Sequence, residues 1–335
     1  MNTASRLVNP ANVEAIRAAM STGTPTGSFL PAVYIVEPTS RCNLKCIMCP
    51  NSRLTPDKLG DATLEELQNT FKIISRYAEL TMLYFMGEST LHPSFAEVLL
   101  SARSTLRGRI VLSTNATNLS DEAIAAIVAA CDIVIVPIDR WDSEKYSKIR
   151  RLAVFNDVVV NAERILAHRG DGEVPTVIVK GLDITPRRSD APIGSSELAA
   201  FDAYWSERRA IPLHGWLNTW AGQMPNLVQL SSGLTPYDPV DRGACADLWF
   251  KAVINWRGEV VLCCHNWDYS VRLGTMLSDG LRRVWHSTTL QELRRSHVSG
   301  DFSCTEICAT CREWGEPDEL DAYLDPTGER LYKVF

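Results

Sequence analysis

Three cysteines within eight residues, Cys42, Cys46 and Cys49, follow directly on the apolar run Val33–Val36. Their Cys-x3-Cys-x2-Cys spacing constrains this chain more than any other feature. A loop of that length can wrap one corner of an iron–sulfur cubane and supply three thiolates. Four cysteines usually complete such a cluster, so three leave one iron open to a small molecule. Structural zinc and a redox cysteine pair are the alternatives. Structural zinc takes four protein ligands, commonly from two Cys-x2-Cys halves, and fits a lone triplet poorly.

The 335 residues suit one large domain with a smaller one attached. A net charge of −6 argues against nucleic acid as a partner, because phosphate binding needs clustered Lys and Arg. It leaves cationic small molecules open as substrates. Residues 1–20 contain no apolar core of signal type, and the longest apolar stretch, 123–138, is interrupted by Asp132, so no membrane span is expected. Ten cysteines without a secretion signal point to a reducing, cytoplasmic setting and to metal ligation in place of disulfides.

Residues 1–31 read as an extension, a short helix at 13–20 followed by a Gly/Thr/Pro/Ser linker. From residue 32 the pattern alternates. Strands are predicted at 32–37, 81–86, 109–114, 132–138, 176–182 and 212–217, with helices at 63–76, 94–105, 120–130, 154–168 and 195–209. Ser120 stands as the N-cap of the helix at 120–130. Six such repeats imply an α/β fold with a parallel sheet, since parallel strands need crossovers. Chemistry in these folds gathers at the C-terminal ends of the strands, where the cysteine loop lies. The barrel unit is expected over 32–222. A second unit over 223–335 opens with a Pro/Gly/Ser/Asp-rich linker at 224–242. It continues with a hairpin at 249–262 turning at Gly258, a helix at 290–297 and a second cysteine cluster.

The cysteine triplet resembles that of the radical S-adenosylmethionine (SAM) superfamily, which implies a partial (β/α)6 TIM-like barrel. Further segments share the resemblance in the order the family uses. Met86-Gly87-Glu88 resembles its Gly-Gly-Glu motif, with Met86 in place of the first glycine. The resemblance implies contacts from Gly87 and Glu88 to the SAM amino group, and from Ser113 and Asn115 to the ribose. It places the Met48 backbone near the adenine, Asp139 in the same pocket and Arg150 at the SAM carboxylate.

Cys245-x12-Gly258-x4-Cys263 with Cys308-x2-Cys311 resembles the SPASM domain and its shortened twitch form, and Asn218–Gly222 resembles a segment that often precedes it. Cys245, Cys263, Cys308 and Cys311 would hold one auxiliary [4Fe–4S] cluster, giving two clusters and SAM as cofactors. Structural zinc remains the alternative for these four. Cys264 and Cys304 are left over, as hydrogen-atom donors, alternate ligands or spare thiols. Trp249, Trp256, Trp267 and Trp314 would shield the clusters or line a sugar site. The family's chemistry implies an external electron donor such as flavodoxin or ferredoxin. By resemblance to aminoglycoside-pathway enzymes, the chain would be a dehydrogenase or epimerase acting on a carbinol carbon of a cationic amino sugar. Lys180, Asp183 and Asp139 are the candidate bases. A maturase of ribosomal peptides is the other reading.

Overall fold

The computed structural model describes residues 7–139, 141–183, 195–224, 226–227, 242–311 and 313. The chain order is α1 (Pro10–Ser21), β1 (Val33–Val36), α2 (Leu64–Ile74), β2 (Leu80–Met82), α3 (Phe95–Thr105), β3 (Arg109–Ser113) and α4 (Asp121–Ala130). It continues with β4 (Ile133–Pro137), α5 (Ser143–Ile149), α6 (Phe155–Arg169), β5 (Thr176–Asp183), α7 (Ser195–Glu207) and β6 (Ile211–Trp216). The C-terminal part holds α8 (Asp247–Phe250), β7 (Lys251–Ile254), β8 (Glu259–Val261), β9 (Arg272–Thr275), α9 (Met276–Asp279), α10 (Leu281–Trp285), α11 (Thr288–Val298) and α12 (Glu306–Thr310).

The six expected strands form one parallel wall in sequence order, β1 to β6. Every residue of β1 is buried, as a strand covered on both faces requires. Local chemistry fixes the helix ends. Ser120 caps α4 by accepting from Ala123 N. Thr63 and Glu66 form a reciprocal capping box at α2, with Thr63 Oγ1 accepting from Glu66 N at 3.2 Å and Glu66 Oε2 from Thr63 N at 2.8 Å. Thr63→Ala removes one half of that box and is expected to lower stability by about 1 kcal/mol, read as a shifted urea midpoint with an unchanged slope. An unmoved midpoint would mean that the box does not form in solution.

The second strand is shorter than its apolar run suggests. After Met82 the backbone leaves the ladder, and Met86 N donates to the carboxylate of Glu37 at 2.9 Å. The C-terminal hairpin holds a larger surprise. It does not stand apart: β7 pairs in parallel with β1, with Tyr34 opposite both Thr81 and Ala252, so the sheet runs on to nine strands. The expected hairpin start at Trp249 is a turn of helix, α8, before β7 begins. Helix α5 and strand β9 were not foreseen. Most of the 224–242 linker, and Trp314, lie outside the described residues.

The N-terminal extension is clamped by this C-terminal part. Arg294 of α11 is 0% exposed. It donates to Leu248 O, Pro25 O and Trp285 O, and its guanidinium lies over the rings of Phe29, Trp249 and Trp285. Trp249 Nε1 donates to Thr24 O at 2.8 Å.

Candidate iron–sulfur and SAM site

Cys42, Cys46 and Cys49 are brought together just beyond β1, each half-buried. Burial pushes the Cys42 thiol up to about 11 and the Cys49 thiol up to about 12, with Cys46 adding to the first and Cys46 and Cys42 to the second. Three converging thiols that resist ionisation on their own are suited to a polynuclear cation that stabilises them as thiolates. Arg150 Nη1 lies 3.9 Å from Cys46 Sγ.

The loops after β2 and β3 close on this cysteine loop. Gly87 passes so near the Thr39 and Ser40 backbone that a Cβ would overlap Thr39 O, so only glycine fits there. Asn51 Nδ2 donates to Ser40 O at 2.8 Å and to Met86 O at 2.9 Å, and Glu88 N donates to Arg41 O at 2.8 Å. The buried Glu88 carboxylate accepts from Thr114 Oγ1 and Asn115 N, both at 2.7 Å, and from Thr90. Burial raises its pKa against these donors. Asn115 Nδ2 in turn donates to Asn43 Oδ1 at 2.9 Å, which links the β3 loop to the residue after Cys42. Ser113 is half-buried at the end of β3. Glu88, Asn115, Gly87 and the cysteine loop therefore form one hydrogen-bonded surface.

Asp139 and Arg150 were expected as separate SAM contacts; here they pair with one another. Arg150 Nε reaches Asp139 Oδ2 at 2.6 Å and Nη2 reaches Oδ1 at 3.1 Å. The bidentate pair is mostly buried, which fixes the guanidinium beside Cys46. Asp139 is thus engaged, and of the other base candidates Lys180 is half-buried on β5 while the Asp183 side chain lies outside the described residues. Met48 is buried and packs with Ile149, Leu217 and Met224 in a small apolar cluster, with Leu182 and Trp220 against it.

The second thiol group converges as well. Cys245 feels the charges of Cys311 and Cys308, and Cys263 those of Cys245 and Cys311. Burial pushes Cys308 up to about 11 and Cys311 up to about 12. These four sulfurs lie within electrostatic reach of one another. Gly258 makes the intervening turn with a φ of +73°. Cys264 points elsewhere, with Sγ 3.9 Å from Asp247 Oδ2. Cys304 is exposed and lies with Cys308 and a His297 ring nitrogen, all within 4.8 Å of one another. His297 Nδ1 accepts from Cys245 N at 3.2 Å. Of the four tryptophans, Trp249 is taken up with the N-terminal extension, and Trp256 covers Gly60 while donating to Lys58 O.

The sequence reading singled out Asn218–Gly222 but not its bridging contacts, and it missed the role of Glu37. Asn218–Gly222 bridges the two thiol groups: Trp220 Nε1 donates to Met48 O at 2.8 Å, Thr310 Oγ1 to Ala221 O at 2.6 Å, and Thr219 N to Glu313 Oε1 at 2.7 Å. Trp220 and Ala221 both have positive φ, a strained conformation for non-glycine residues that these anchors help to hold. Glu37 is 0% exposed and accepts from Met86 N, from Trp256 N at 3.2 Å and from Tyr269 Oη at 3.0 Å. No periodicity marks either feature.

A three-thiol loop beyond the first strand of a parallel α/β wall, with a second group of thiols around the C-terminal hairpin and α12, is the arrangement of a two-centre iron–sulfur protein. Residues 36–188 match the radical SAM superfamily and residues 245–312 match the SPASM iron–sulfur cluster-binding domain, so the chain carries a radical SAM domain followed by a SPASM domain. The family brings SAM and an iron–sulfur cluster in each domain, and the two thiol groups fit that requirement. Among curated relatives, the cofactor-modifying protein of a tungsten-containing aldehyde ferredoxin oxidoreductase from Pyrococcus furiosus is 33% identical over 108 residues, covering 31% of this chain and 30% of that protein. The GTP 3′,8-cyclase 2 of Mycobacterium tuberculosis is 29% identical over 306 residues, covering 84% of this chain and 82% of that protein. The chain spans between 30% and 52% of the first curated relatives it matches. Among solved structures, BtrN in complex with AdoMet and 2-DOIA superposes with a TM-score of 0.56 at 14% identity, over 85% of this chain and 94% of that one. SuiB of Streptococcus suis bound to the precursor peptide SuiA gives 0.62 at 11% identity, over 91% and 76%. These likenesses establish a TIM-like partial barrel with a small C-terminal region. No helix among the described residues is long and apolar enough to cross a membrane.

Proposed function

We propose that this radical SAM/SPASM enzyme oxidises or epimerises a carbinol carbon of a cationic aminoglycoside or aminocyclitol. Residues 32–222 form the barrel unit and 223–335 the auxiliary unit. In this reading Cys42, Cys46 and Cys49 hold the first cluster. Gly87, Glu88, Ser113, Asn115 and the Met48 backbone surround SAM, and the Asp139–Arg150 pair borders the same pocket. When bound and reduced by one electron, SAM supplies an adenosyl radical that takes a hydrogen atom from substrate. The chain's own task is to orient the reactants and exclude water. The apolar cluster of Met48, Ile149, Leu217 and Met224 suits that exclusion.

What supports the proposal is the spacing of Cys245, Cys263, Cys308 and Cys311, which falls within the segment that matches the SPASM domain, residues 245–312. Four thiolates on one auxiliary cluster leave no iron for substrate, which suits electron uptake and therefore ketone formation. Epimerisation needs a hydrogen-atom donor. Cys304 is exposed, whereas Cys264 is turned toward Asp247, so Cys304 is the better placed of the two. The net charge of −6 favours a cationic substrate. The BtrN complex supports a small-molecule substrate and the SuiB complex a peptide.

The test is incubation of reconstituted protein with SAM, reductant and a panel of aminoglycosides and aminocyclitols, followed by mass spectrometry, with GTP and short peptides as further arms. Loss of two hydrogens from an amino sugar is the expected outcome for a dehydrogenase. Deuterium uptake from solvent is expected for an epimerase. Turnover of GTP or a peptide alone would overturn the proposal.

A further inference from the structure

Helix α11 turns one face to the protein interior. Leu290, Leu293, Arg294 and His297 are its buried residues, and their helical spacing puts them on one stripe. Arg294 sets the register of that stripe, since its Nε donates to Leu248 O in α8, just past Cys245. One turn further on, His297 meets the second thiol group. It is 3% exposed, and its Nδ1 accepts from the backbone N of Cys245 at 3.2 Å. The turn after α11 is closed by Asp301 N, which donates to Ser296 O at 2.9 Å, and it sets Phe302 edge-on to the His297 ring with centroids 5.1 Å apart. The chain then returns with Cys304 and Cys308, so that a His297 ring nitrogen and both sulfurs lie within 4.8 Å of one another.

A backbone N–H can only donate, so His297 Nδ1 carries a lone pair and the ring is the neutral tautomer protonated at Nε2. That Nε2–H is buried and has no hydrogen-bond partner among the described residues. A buried donor left without an acceptor is destabilising, and native proteins keep few of them. A sulfur is the acceptor at hand. Cys308 is buried and belongs to the expected ligand set, whereas Cys304 is exposed and can turn to water. The same tautomer suits His297 poorly as a ligand in its own right, because Nε2 has no lone pair to give a metal and Nδ1 is taken by Cys245 N.

We propose that His297 is a positioning residue of the auxiliary centre: its Nε2–H donates to the Cys308 sulfur once that sulfur is a cluster thiolate, and this raises the reduction potential of the centre. The proposal rests on the reading that Cys245, Cys263, Cys308 and Cys311 hold an auxiliary iron–sulfur cluster. An N–H aimed at a ligand sulfur stabilises the added negative charge of the reduced state, and hydrogen bonds of this kind are among the factors that set such potentials. A higher potential favours electron uptake at that centre. The proton stays on Nε2 throughout, and no bond to His297 forms or breaks. His297 also holds the Cys245 backbone, so one side chain touches the ligand set from two sides.

The experiment uses the full chain, reconstituted with iron and sulfide, in a Cys46→Ala background, so that the auxiliary centre alone gives an electron paramagnetic resonance signal during a redox titration. His297→Asn keeps an oxygen near the Nδ1 position to accept from Cys245 N and removes the Nε2–H. His297→Gln returns an amide N–H near the Nε2 position. At the potential where the Cys46→Ala protein is half reduced, His297→Asn should show an about tenfold smaller ratio of reduced to oxidised cluster, a fall of about 59 mV for a one-electron couple, and His297→Gln should recover most of it. Iron should stay at about four per chain in each, which separates a changed potential from a lost cluster. Cys304→Ser should leave the potential in place. An unmoved potential in His297→Asn overturns the proposal, as does a shift in Cys304→Ser as large as that in His297→Asn. If the His297 variants lose their iron, pulsed resonance of the Cys46→Ala protein carrying isotopically labelled histidine decides. Histidine-nitrogen coupling to the reduced cluster that persists in His265→Asn supports the proposal, and its absence overturns it. Zinc in place of iron in the Cys46→Ala protein overturns the auxiliary-cluster reading itself and the proposal with it.

Discussion

Cys46→Ala is expected to abolish 5′-deoxyadenosine formation, while Cys245→Ala should leave it measurable. The two thiol groups lie on separate segments, one beyond β1 and the other around the C-terminal hairpin and α12, so each substitution should unload a single centre. Reconstituted wild type should bind about eight irons per chain and either variant about four. In Cys46→Ala the remaining iron belongs to the auxiliary centre, and SAM has no open iron to bind. In Cys245→Ala the first centre is intact, so SAM is still split while the substrate product is lost or altered. Iron analysis with quantified 5′-deoxyadenosine checks this, and a Cys46→Ala protein that still cleaves SAM would remove the first cysteine loop from the chemistry. One zinc per chain at the second set would assign those four thiols to structural zinc.

Glu37→Gln is expected to weaken SAM binding about tenfold or more and to change how stability depends on pH. Glu37 holds the β2 loop through Met86 N and the C-terminal hairpin through Trp256 N and Tyr269 Oη. A glutamine must turn an N–H toward one of these donors, and a lost bond to a charged group is worth about 1.5–3 kcal/mol. Burial raises the Glu37 carboxyl from 4.5 to about 7, against the hydrogen bonds that lower it. The fold therefore favours the protonated form. The stability this group contributes is full below about pH 4.5 and is lost as pH rises through 7. Tyr269 is its only ionisable hydrogen-bond partner among the described residues, and burial keeps that phenol protonated far above this range. Between pH 6 and pH 8 the wild type should lose about 1–2 kcal/mol relative to Glu37→Gln. Urea midpoints of both proteins at the two pH values check this, and a constant gap would show that the carboxyl does not titrate there. A shifted SAM-dependent change in the electron paramagnetic resonance of the first cluster would show that the effect reaches the SAM loop, beyond overall stability.

Legibility from sequence followed the range of the interaction. Cys42, Cys46 and Cys49 declare a metal loop because their ligand geometry is set within eight residues. Ser120 and Gly258 declare a cap and a turn because both are local backbone problems with few solutions. Asp139 and Arg150 could be named but not joined, since the salt bridge depends on how the β4 loop meets the end of α5. Glu37 looked like the last residue of a strand. Its partners lie 49, 219 and 232 positions away, beyond any periodic signal.

By itself the sequence determined the alternation of strand and helix, the two cysteine groups and the superfamily they resemble, because each depends on side-chain period or close ligand spacing. Only the tertiary structure decided that the C-terminal hairpin extends the barrel sheet through β1 and β7. It alone showed that Trp220 and Glu37 tie the two metal regions together, and that His297 meets the second of them. Strand pairing, burial and backbone strain arise between segments far apart in the chain, and no window of residues contains both halves of such a contact.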